Sequence, residues 1–294
     1  MNQAIKLANR PSGKPTVNDF EFATENTPEP GDGEVLLKSH YVSVDPYLRG
    51  RMNNVKSYVP PFELHQPITS SVIAEVVKSR NENFKEGNFV SGELAWKNYQ
   101  VSDGESLMNV DPKTAPLSAY LGILGLTGIT AYIGLEKFGE PQKGETLVIS
   151  GAAGAVGTIV GQIGKLKGCR VVGIAGSNEK TALLKSEFGF DEAINYKTTE
   201  NMEAAIAETC PHGVDVYFDN VGGPISDGVH ANINLYARIV VCGAISLYNA
   251  TSMPTGPYIQ PAILPKSAMM KGFIVMHYRQ YFKEAVEKLA SWYQ

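Results

Sequence analysis

Cysteine is scarce in this chain of 294 residues, which contains three. Cys169, Cys210 and Cys242 lie far apart, form no Cys-x-x-Cys pair and are odd in number. This pattern argues against a disulfide framework and against a cysteine-rich structural zinc site. We therefore expect three reduced thiols.

Strong charge and long apolar runs are also missing. The formal net charge is −4, so a nucleic-acid partner is not expected. No apolar run reaches the roughly 18 residues that a membrane span needs, and segment 1–8 lacks the apolar core of a secretory signal. The sequence therefore predicts a cytoplasmic protein that binds neither nucleic acid nor membrane.

Clustered metal ligands are absent from the sequence as well. No cysteine precedes residue 169, and none of the five histidines has an HxxxH, His-Glu or Cys-x-x-Cys neighbour. A catalytic zinc ion usually takes three such protein ligands. We therefore expect no metal site.

The pattern of apolar residues divides the chain into two parts. Residues 1–119 are β-rich, with short strands predicted at 35–42, 71–77 and 88–90 between proline and glycine turns. In residues 120–294, strands alternate with helices, which predicts a doubly wound parallel sheet. The expected strands are 145–150, 170–175, 192–195, 214–219, 237–243 and 269–276, and the expected helices are 154–167, 178–188, 200–209, 223–232 and one from about 280.

A glycine-rich turn follows the first strand of the second part. Leu147-Val-Ile-Ser-Gly-Ala-Ala-Gly-Ala-Val-Gly157 runs from an apolar strand into three glycines and then into a helix. Such a turn brings backbone N–H groups and a helix N-terminus to a dinucleotide pyrophosphate. Small residues also occur where a helix packs closely on a sheet. The second strand about twenty residues after the first favours the dinucleotide.

The end of the second strand indicates which dinucleotide is bound. Sites for NAD usually place Asp or Glu there, whereas this chain reads Gly173-Ile-Ala-Gly-Ser-Asn-Glu-Lys180. Ser177 is a predicted helix N-cap, and Lys180 lies in the first helical turn, although it could simply be a solvated lysine. Tyr196 is a third candidate for binding a 2′-phosphate. We therefore expect NADP rather than NAD.

Five segments together resemble one protein family. They are Ser150-Gly-Ala-Ala-Gly-Ala-Val-Gly157, Val172-Gly-Ile-Ala-Gly-Ser177, Tyr217-Phe-Asp-Asn-Val-Gly-Gly223, Cys242-Gly-Ala-Ile-Ser246 and Val44-Asp-Pro-Tyr-Leu-Arg-Gly-Arg-Met52. The chain resembles the zinc-independent medium-chain dehydrogenases/reductases along essentially its whole length. Within them it is most similar to the prostaglandin reductase and leukotriene hydroxydehydrogenase branch, which includes curcumin reductases and alkenal reductases.

The resemblance implies a fold and a reaction. The fold is an N-terminal catalytic domain shaped as a partly open, GroES-like β-barrel, followed by a Rossmann domain. The reaction is reduction by NADPH of the carbon–carbon double bond of an α,β-unsaturated ketone or aldehyde, in a homodimer. Family chains continue further than this one and return to the catalytic domain, so we expect that domain to lack its C-terminal segment.

The resemblance also implies roles for individual residues. The predicted cofactor-binding residues are Gly154, Ala155, Val156 and Gly157 at the pyrophosphate, Ser177, Lys180 and Tyr196 at the 2′-phosphate, and Thr127, Asn220, Cys242 and Gly243 in the rest of the site. Tyr47 and Arg49 are predicted to border the substrate pocket. Asp45 and Pro46 are equally well explained as the start of a short helix.

Tyr248 is the candidate catalytic residue. It follows the strand that ends near Gly243, and its hydroxyl could donate to the carbonyl oxygen on which charge develops. The ribose hydroxyl of the cofactor could do the same. Two other functions stay open: an NADPH quinone oxidoreductase on the same scaffold, and a protein that binds NADPH without catalysis.

Overall fold

The computed structural model describes residues 1–293, which form two compact units that divide after Gly122. Each unit has its own apolar core. None of the helices in residues 1–293 has both the length and the apolar composition needed to cross a membrane.

The N-terminal unit is β-rich. Its elements are β1 (Asn2–Leu7), β2 (Phe20–Glu25), β3 (Val35–Val42), α1 (Tyr47–Arg51), β4 (Thr69–Ser79), β5 (Phe89–Ala95), β6 (Tyr99–Ser102) and β7 (Met108–Val110), with short 3₁₀ helices at Val17–Asp19 and Leu117–Tyr120. Strands β1 and β2 form an antiparallel pair, and the others form a five-stranded antiparallel sheet in the order β6-β3-β4-β5-β7.

The second unit alternates strands and helices as predicted. Its elements are α2 (Leu126–Gly134), β8 (Thr146–Ser150), α3 (Ala155–Leu166), β9 (Arg170–Ala175), α4 (Asn178–Ser186), β10 (Glu192–Asn195), α5 (Met202–Thr209), β11 (Val214–Asp219), α6 (Gly223–His230), β12 (Ile233–Val241), α7 (Gln260–Ile263), β13 (Met269–Gly272) and α8 (Phe282–Tyr293). A π-helical turn spans Leu135–Gly139, and 3₁₀ helices span Ile245–Leu247 and Val275–Tyr281.

All six strands of this unit are parallel, in the order β10-β9-β8-β11-β12-β13. The order reverses between β8 and β11, which is the topological switch point of a doubly wound sheet. The predicted Rossmann fold with a β-rich N-terminal part is therefore confirmed.

Both faces of the parallel sheet are buried. Leu147 and Ile149 pack on one face with α2, α3 and α8, while Val148 between them packs on the other face with α5 and α6. Alternate side chains of a strand point to opposite faces, so a strand covered on both sides reads as a continuous apolar run. This is why the strand at 170–175 was predicted with its observed bounds, and the strands at 192–195 and 214–219 also have the bounds that were predicted.

The structure corrects three local predictions. Strand β12 begins at Ile233 rather than 237, because the pairing with β11 is irregular there and Leu235 and Tyr236 are exposed. Strand β13 ends at Gly272 rather than 276, since the apolar run continues into a 3₁₀ helix. Helix α1 is capped by Pro46 in a helical conformation, without a side-chain hydrogen bond from Asp45.

Candidate active site

The functional candidates of the second unit lie where strands β8, β9, β11 and β12 end. In a parallel sheet the carboxyl ends of all strands meet at one edge, and a ligand binds in the crevice beside the switch point. Ser150, Ala175, Asp219 and Val241 are the last residues of these strands. The loops that follow them contain most of the predicted cofactor-binding residues.

The glycine-rich turn after β8 is tightly packed. Gly151 has φ +59°, a backbone conformation that residues with a side chain rarely adopt, and a Cβ there would contact Asn220 and Val221. A Cβ on Gly157 would approach the Gly151 carbonyl oxygen to 2.5 Å and Ala152 Cα to 2.7 Å. The turn therefore has room for backbone only at these two positions.

The N-terminus of helix α3 presents unpaired backbone N–H groups. Gly154 is its N-cap and provides no side-chain hydrogen bond. The amides of the first turn, at Ala155, Val156 and Gly157, have no acceptor within the helix. Gly154 and Ala155 are exposed. This end of the helix is therefore suited to an anion such as a pyrophosphate.

Ser177 and Tyr196 both lie near Gly176, which follows the end of β9. Ser177 is the N-cap of α4, as predicted, and its hydroxyl accepts a hydrogen bond from the Lys180 backbone N–H at 3.3 Å. The Tyr196 ring lies against Gly176, where a Cβ would come within 2.9 Å of the Tyr196 hydroxyl oxygen. The Lys180 side chain is exposed and forms no salt bridge with a residue in 1–293.

One carboxylate already lies at this pocket. The Glu179 backbone N–H and the Ser177 hydroxyl both hydrogen-bond to the Glu179 carboxylate and lower the pKa of that group. Glu179 is exposed, so its carboxylate can swing into solvent. A bound phosphate at Ser177 would have to displace it.

Asn220 is held against the end of β8. Its backbone N–H donates to Ser150 Oγ at 2.9 Å, and its side-chain Nδ2 donates to the Ser150 carbonyl oxygen at 2.8 Å. Both contacts use N–H groups of Asn220, and its side-chain oxygen takes part in neither of them. Asn220 therefore offers an acceptor at the switch point.

Gly243 and Tyr248 follow the end of β12. The Ala244 backbone N–H donates to the Tyr248 hydroxyl at 3.4 Å, and a Cβ on Gly243 would lie 3.3 Å from that same oxygen. Because the hydroxyl oxygen acts as acceptor in this contact, its hydrogen is available to another partner. The backbone N–H groups of Cys242 and Gly243 both donate to the Asp219 carbonyl.

The Cys242 thiol is held in its protonated form by its surroundings. Burial, with a further contribution from Asp219, raises its pKa to about 12. A thiol rather than a thiolate is a poor nucleophile. Cys242 can therefore line the site as a small apolar group.

Thr127 is half-buried in the first turn of α2.

The two substrate-pocket candidates lie in the N-terminal unit, on α1. Tyr47 packs beside Leu48, Met52 and Phe62, and burial raises the pKa of its hydroxyl. The Arg49 guanidinium donates to the carbonyls of Pro11 and Gly13 and to Asn53 Oδ1. Arg49 therefore fixes segment 11–13 to α1, and a contact between Arg49 and substrate stays a prediction.

The sequence had placed Gly151 among the three glycines of the turn and Gly176 in the small-residue end of β9, but it gave no individual role to Ser150 and Asp219. Gly151 and Gly176 lack side chains where one would collide, and Ser150 and Asp219 form a buried hydrogen-bonded pair. A polar residue at the end of an otherwise apolar strand was the available signal for Ser150 and Asp219. Their pairing spans 69 residues, so the local sequence could not reveal it.

Residues 1–293 bring together no group of three or more His, Cys, Asp and Glu side chains in an arrangement that could hold a metal ion.

Comparison with known proteins gives the family. The family model of the N-terminal domain of oxidoreductases matches residues 3–110, and the model described as zinc-binding dehydrogenase matches residues 155–291. An NADPH-dependent curcumin reductase of Escherichia coli is 40% identical over 99% of this chain and 86% of the relative. An NADP(+)-dependent 2-alkenal reductase of Nicotiana tabacum is 42% identical over 97% of this chain and 84% of the relative.

The chain belongs to the medium-chain dehydrogenases/reductases. Within this superfamily it falls in the branch of the prostaglandin, curcumin and 2-alkenal reductases, as its five motifs predicted. A crystal structure of CurA from Vibrio vulnificus in complex with NADPH has a TM-score of 0.93 and 41% identity, over 99% of this chain and 87% of that protein. The similarity in fold therefore extends through both units.

The packing of the glycine turn predicts that alanine substitutions at two glycines of this chain change the Tm to different extents. Gly157→Ala should lower the Tm, because its Cβ would overlap the Gly151 carbonyl, an overpacking that costs about 1–3 kcal/mol. Gly272→Ala is the matched control, since a Cβ there has nothing within 4 Å. Thermal denaturation followed by circular dichroism measures both variants. Equal Tm values would contradict the close approach at Gly157.

Proposed function

We propose that this protein is an NADPH-dependent oxidoreductase that reduces the carbon–carbon double bond of α,β-unsaturated aldehydes and ketones. The observation that carries the proposal is the end of β9 at the carboxyl edge of a Rossmann sheet, where Gly176 rather than Asp or Glu follows the strand, the Tyr196 ring lies against Gly176 and Ser177 caps the next helix. The names of relatives that are 40% and 42% identical support the same reaction class.

The residues of the second unit suit each part of NADPH. The turn at Gly151 and Gly157 has no side chains to block a pyrophosphate, and helix α3 supplies its N–H groups. Ser177, Tyr196 and Lys180 offer two hydroxyls and an ammonium group to a 2′-phosphate. Asn220, Gly243, Cys242 and Thr127 are proposed to contact the nicotinamide half of the cofactor.

Bound NADPH would supply a hydride to the β carbon of the substrate. Negative charge then develops on the carbonyl oxygen, which needs a hydrogen-bond donor, and the α carbon of the resulting enolate takes a proton from water or a side chain. Tyr248 can be the hydrogen-bond donor, since its hydroxyl oxygen accepts from the Ala244 backbone N–H and keeps its hydrogen free to donate. Tyr47 is proposed to border the substrate pocket.

The decisive test is consumption of NADPH with a medium-chain 2-alkenal, followed by absorbance at the wavelength of the reduced nicotinamide. Oxidation with the 2-alkenal and none with the corresponding saturated aldehyde would support conjugate reduction. Faster oxidation with a benzoquinone than with the 2-alkenal would favour a quinone oxidoreductase instead. NADPH binding without oxidation of any of these compounds would indicate a protein that binds the cofactor without catalysis.

Cofactor preference should depend on residue 176. Gly176→Asp would place a carboxylate beside the 2′-phosphate site, and we expect the ratio of NADPH to NADH turnover (kcat/KM) to fall by about 10- to 100-fold, as expected for losing a charge-assisted hydrogen bond. Gly176→Ala is the control, because it also displaces the Tyr196 ring but adds no charge. An unchanged ratio in Gly176→Asp would contradict the assignment of this pocket.

The role of Tyr248 predicts a loss in kcat alone. Tyr248→Phe keeps the ring and removes the donor, so kcat for a 2-alkenal should fall by about 100-fold while the Kd for NADPH stays the same. Tyr258→Phe is the control, since Tyr258 lies in the same loop region with 85% of its surface exposed. A wild-type kcat in Tyr248→Phe would assign the polarising role to the cofactor ribose.

Two further features stay predictions. The family resemblance predicts a homodimer, which sedimentation velocity measures directly. The sequence also predicts a cytoplasmic location.

A further inference from the structure

A buried carboxylate lies beneath the proposed cofactor site without being part of it. Asp219 is the last residue of β11 and is 4% exposed. A charged group in this position requires compensation by hydrogen bonds, because transfer of a carboxylate from water into a protein interior is costly.

Five donors provide this compensation. Oδ1 of Asp219 accepts from Ser150 Oγ at 2.8 Å and from the backbone N–H groups of Val221 and Gly222 at 2.9 Å each. It also accepts from the Tyr217 hydroxyl at 3.0 Å, and Oδ2 accepts from Ser226 Oγ at 2.7 Å. One side chain thereby connects the end of β8, the loop after β11 and helix α6.

The bond from Ser150 fixes the direction of the next hydrogen bond. A serine hydroxyl has one hydrogen, and Ser150 donates it to Asp219. Its oxygen is then an acceptor toward Asn220, whose backbone N–H points to it at 2.9 Å. The Asn220 side chain is anchored on the same residue, through Nδ2 and the Ser150 carbonyl at 2.8 Å.

We infer that Asp219 is a positioning residue for the cofactor: through the Ser150 hydroxyl it holds the Asn220 backbone N–H, beside the Ser150 carbonyl that occupies the Asn220 amide nitrogen and leaves its amide oxygen available as an acceptor. The inference rests on the proposed function. The hydrogen bonds from Asp219 to Ser150 and from Ser150 to Asn220 cross the switch point between β8 and β11. They therefore also set the distance between the glycine-rich turn and the loop after β11.

The arrangement provides a matched pair of substitutions. Ser150→Ala and Ser226→Ala each remove one buried hydroxyl that donates to the same carboxylate, and the two serines are 0% and 4% exposed. The Ser150 hydroxyl also accepts from Asn220, whereas the Ser226 hydroxyl, among residues 1–293, lies within hydrogen-bond distance of Asp219 and Tyr217 and makes no contact with Asn220. A role confined to stability would affect the two variants alike.

The first readout is NADPH affinity, measured by titration calorimetry without substrate. We expect Ser150→Ala to raise the Kd by about tenfold, the effect of one lost hydrogen bond, and Ser226→Ala to change it by less than about twofold. We also expect Ser150→Ala combined with Asn220→Ala to bind no more weakly than Asn220→Ala, since residues that act through one another are not additive.

The second readout uses the protein without cofactor. Hydrogen exchange of the Asn220 backbone amide should be faster in Ser150→Ala than in the wild type and unchanged in Ser226→Ala, because the Asn220 N–H loses its acceptor in the first variant alone. This measurement still applies if either variant loses activity.

The outcomes separate this inference from the proposed function. If the wild type binds NADPH and the two serine variants show the same Kd and the same exchange, the positioning role of Asp219 is wrong while the proposed function stands. If the wild type does not bind NADPH, the proposed function itself is wrong. A higher Kd and faster exchange confined to Ser150→Ala would support the inference.

Discussion

The second unit depends on a parallel sheet whose central strands β8, β9 and β11 are buried on both faces. Because helices cover both faces, these strands are mostly apolar, and the polar residues Ser150 and Asp219 lie at their carboxyl ends. The order β10-β9-β8-β11-β12-β13 then opens a crevice between β8 and β11. The glycine turn, Ser177, Asn220 and Tyr248 all lie along this edge because their strands end there.

Glycines occupy the positions where a ligand would approach, and polar side chains occupy the positions where the backbone must be held. Gly151, Gly157 and Gly176 keep Cβ atoms out of the turn and the pocket, while Asp219 and Ser150 form the buried polar support underneath. This edge thus combines open backbone N–H groups with positions that have no side chain. Such an arrangement suits an extended anionic ligand, which is the physical basis of the proposed NADPH site.

Much of this was predictable from sequence, for local reasons. Ser177 was predicted as an N-cap because a polar residue followed an apolar strand and preceded a helical pattern, and the structure confirms it. Contacts between distant residues were not predictable in the same way. The bond from Ser150 to Asp219 spans 69 residues, and Arg49 reaches Gly13 across 36, so neither leaves a local signal. The irregular pairing at Tyr236 likewise disrupts the apolar pattern that would locate the start of β12.

We propose above all that the carboxyl edge of this sheet binds NADPH with its 2′-phosphate beside the end of β9. A crystal structure of the protein with NADPH is the measurement that decides this. We expect phosphate oxygens within hydrogen-bond distance of the Ser177 and Tyr196 hydroxyls, with the Glu179 carboxylate displaced from Ser177. A 2′-phosphate bound elsewhere, with Glu179 still hydrogen-bonded to Ser177, would contradict it.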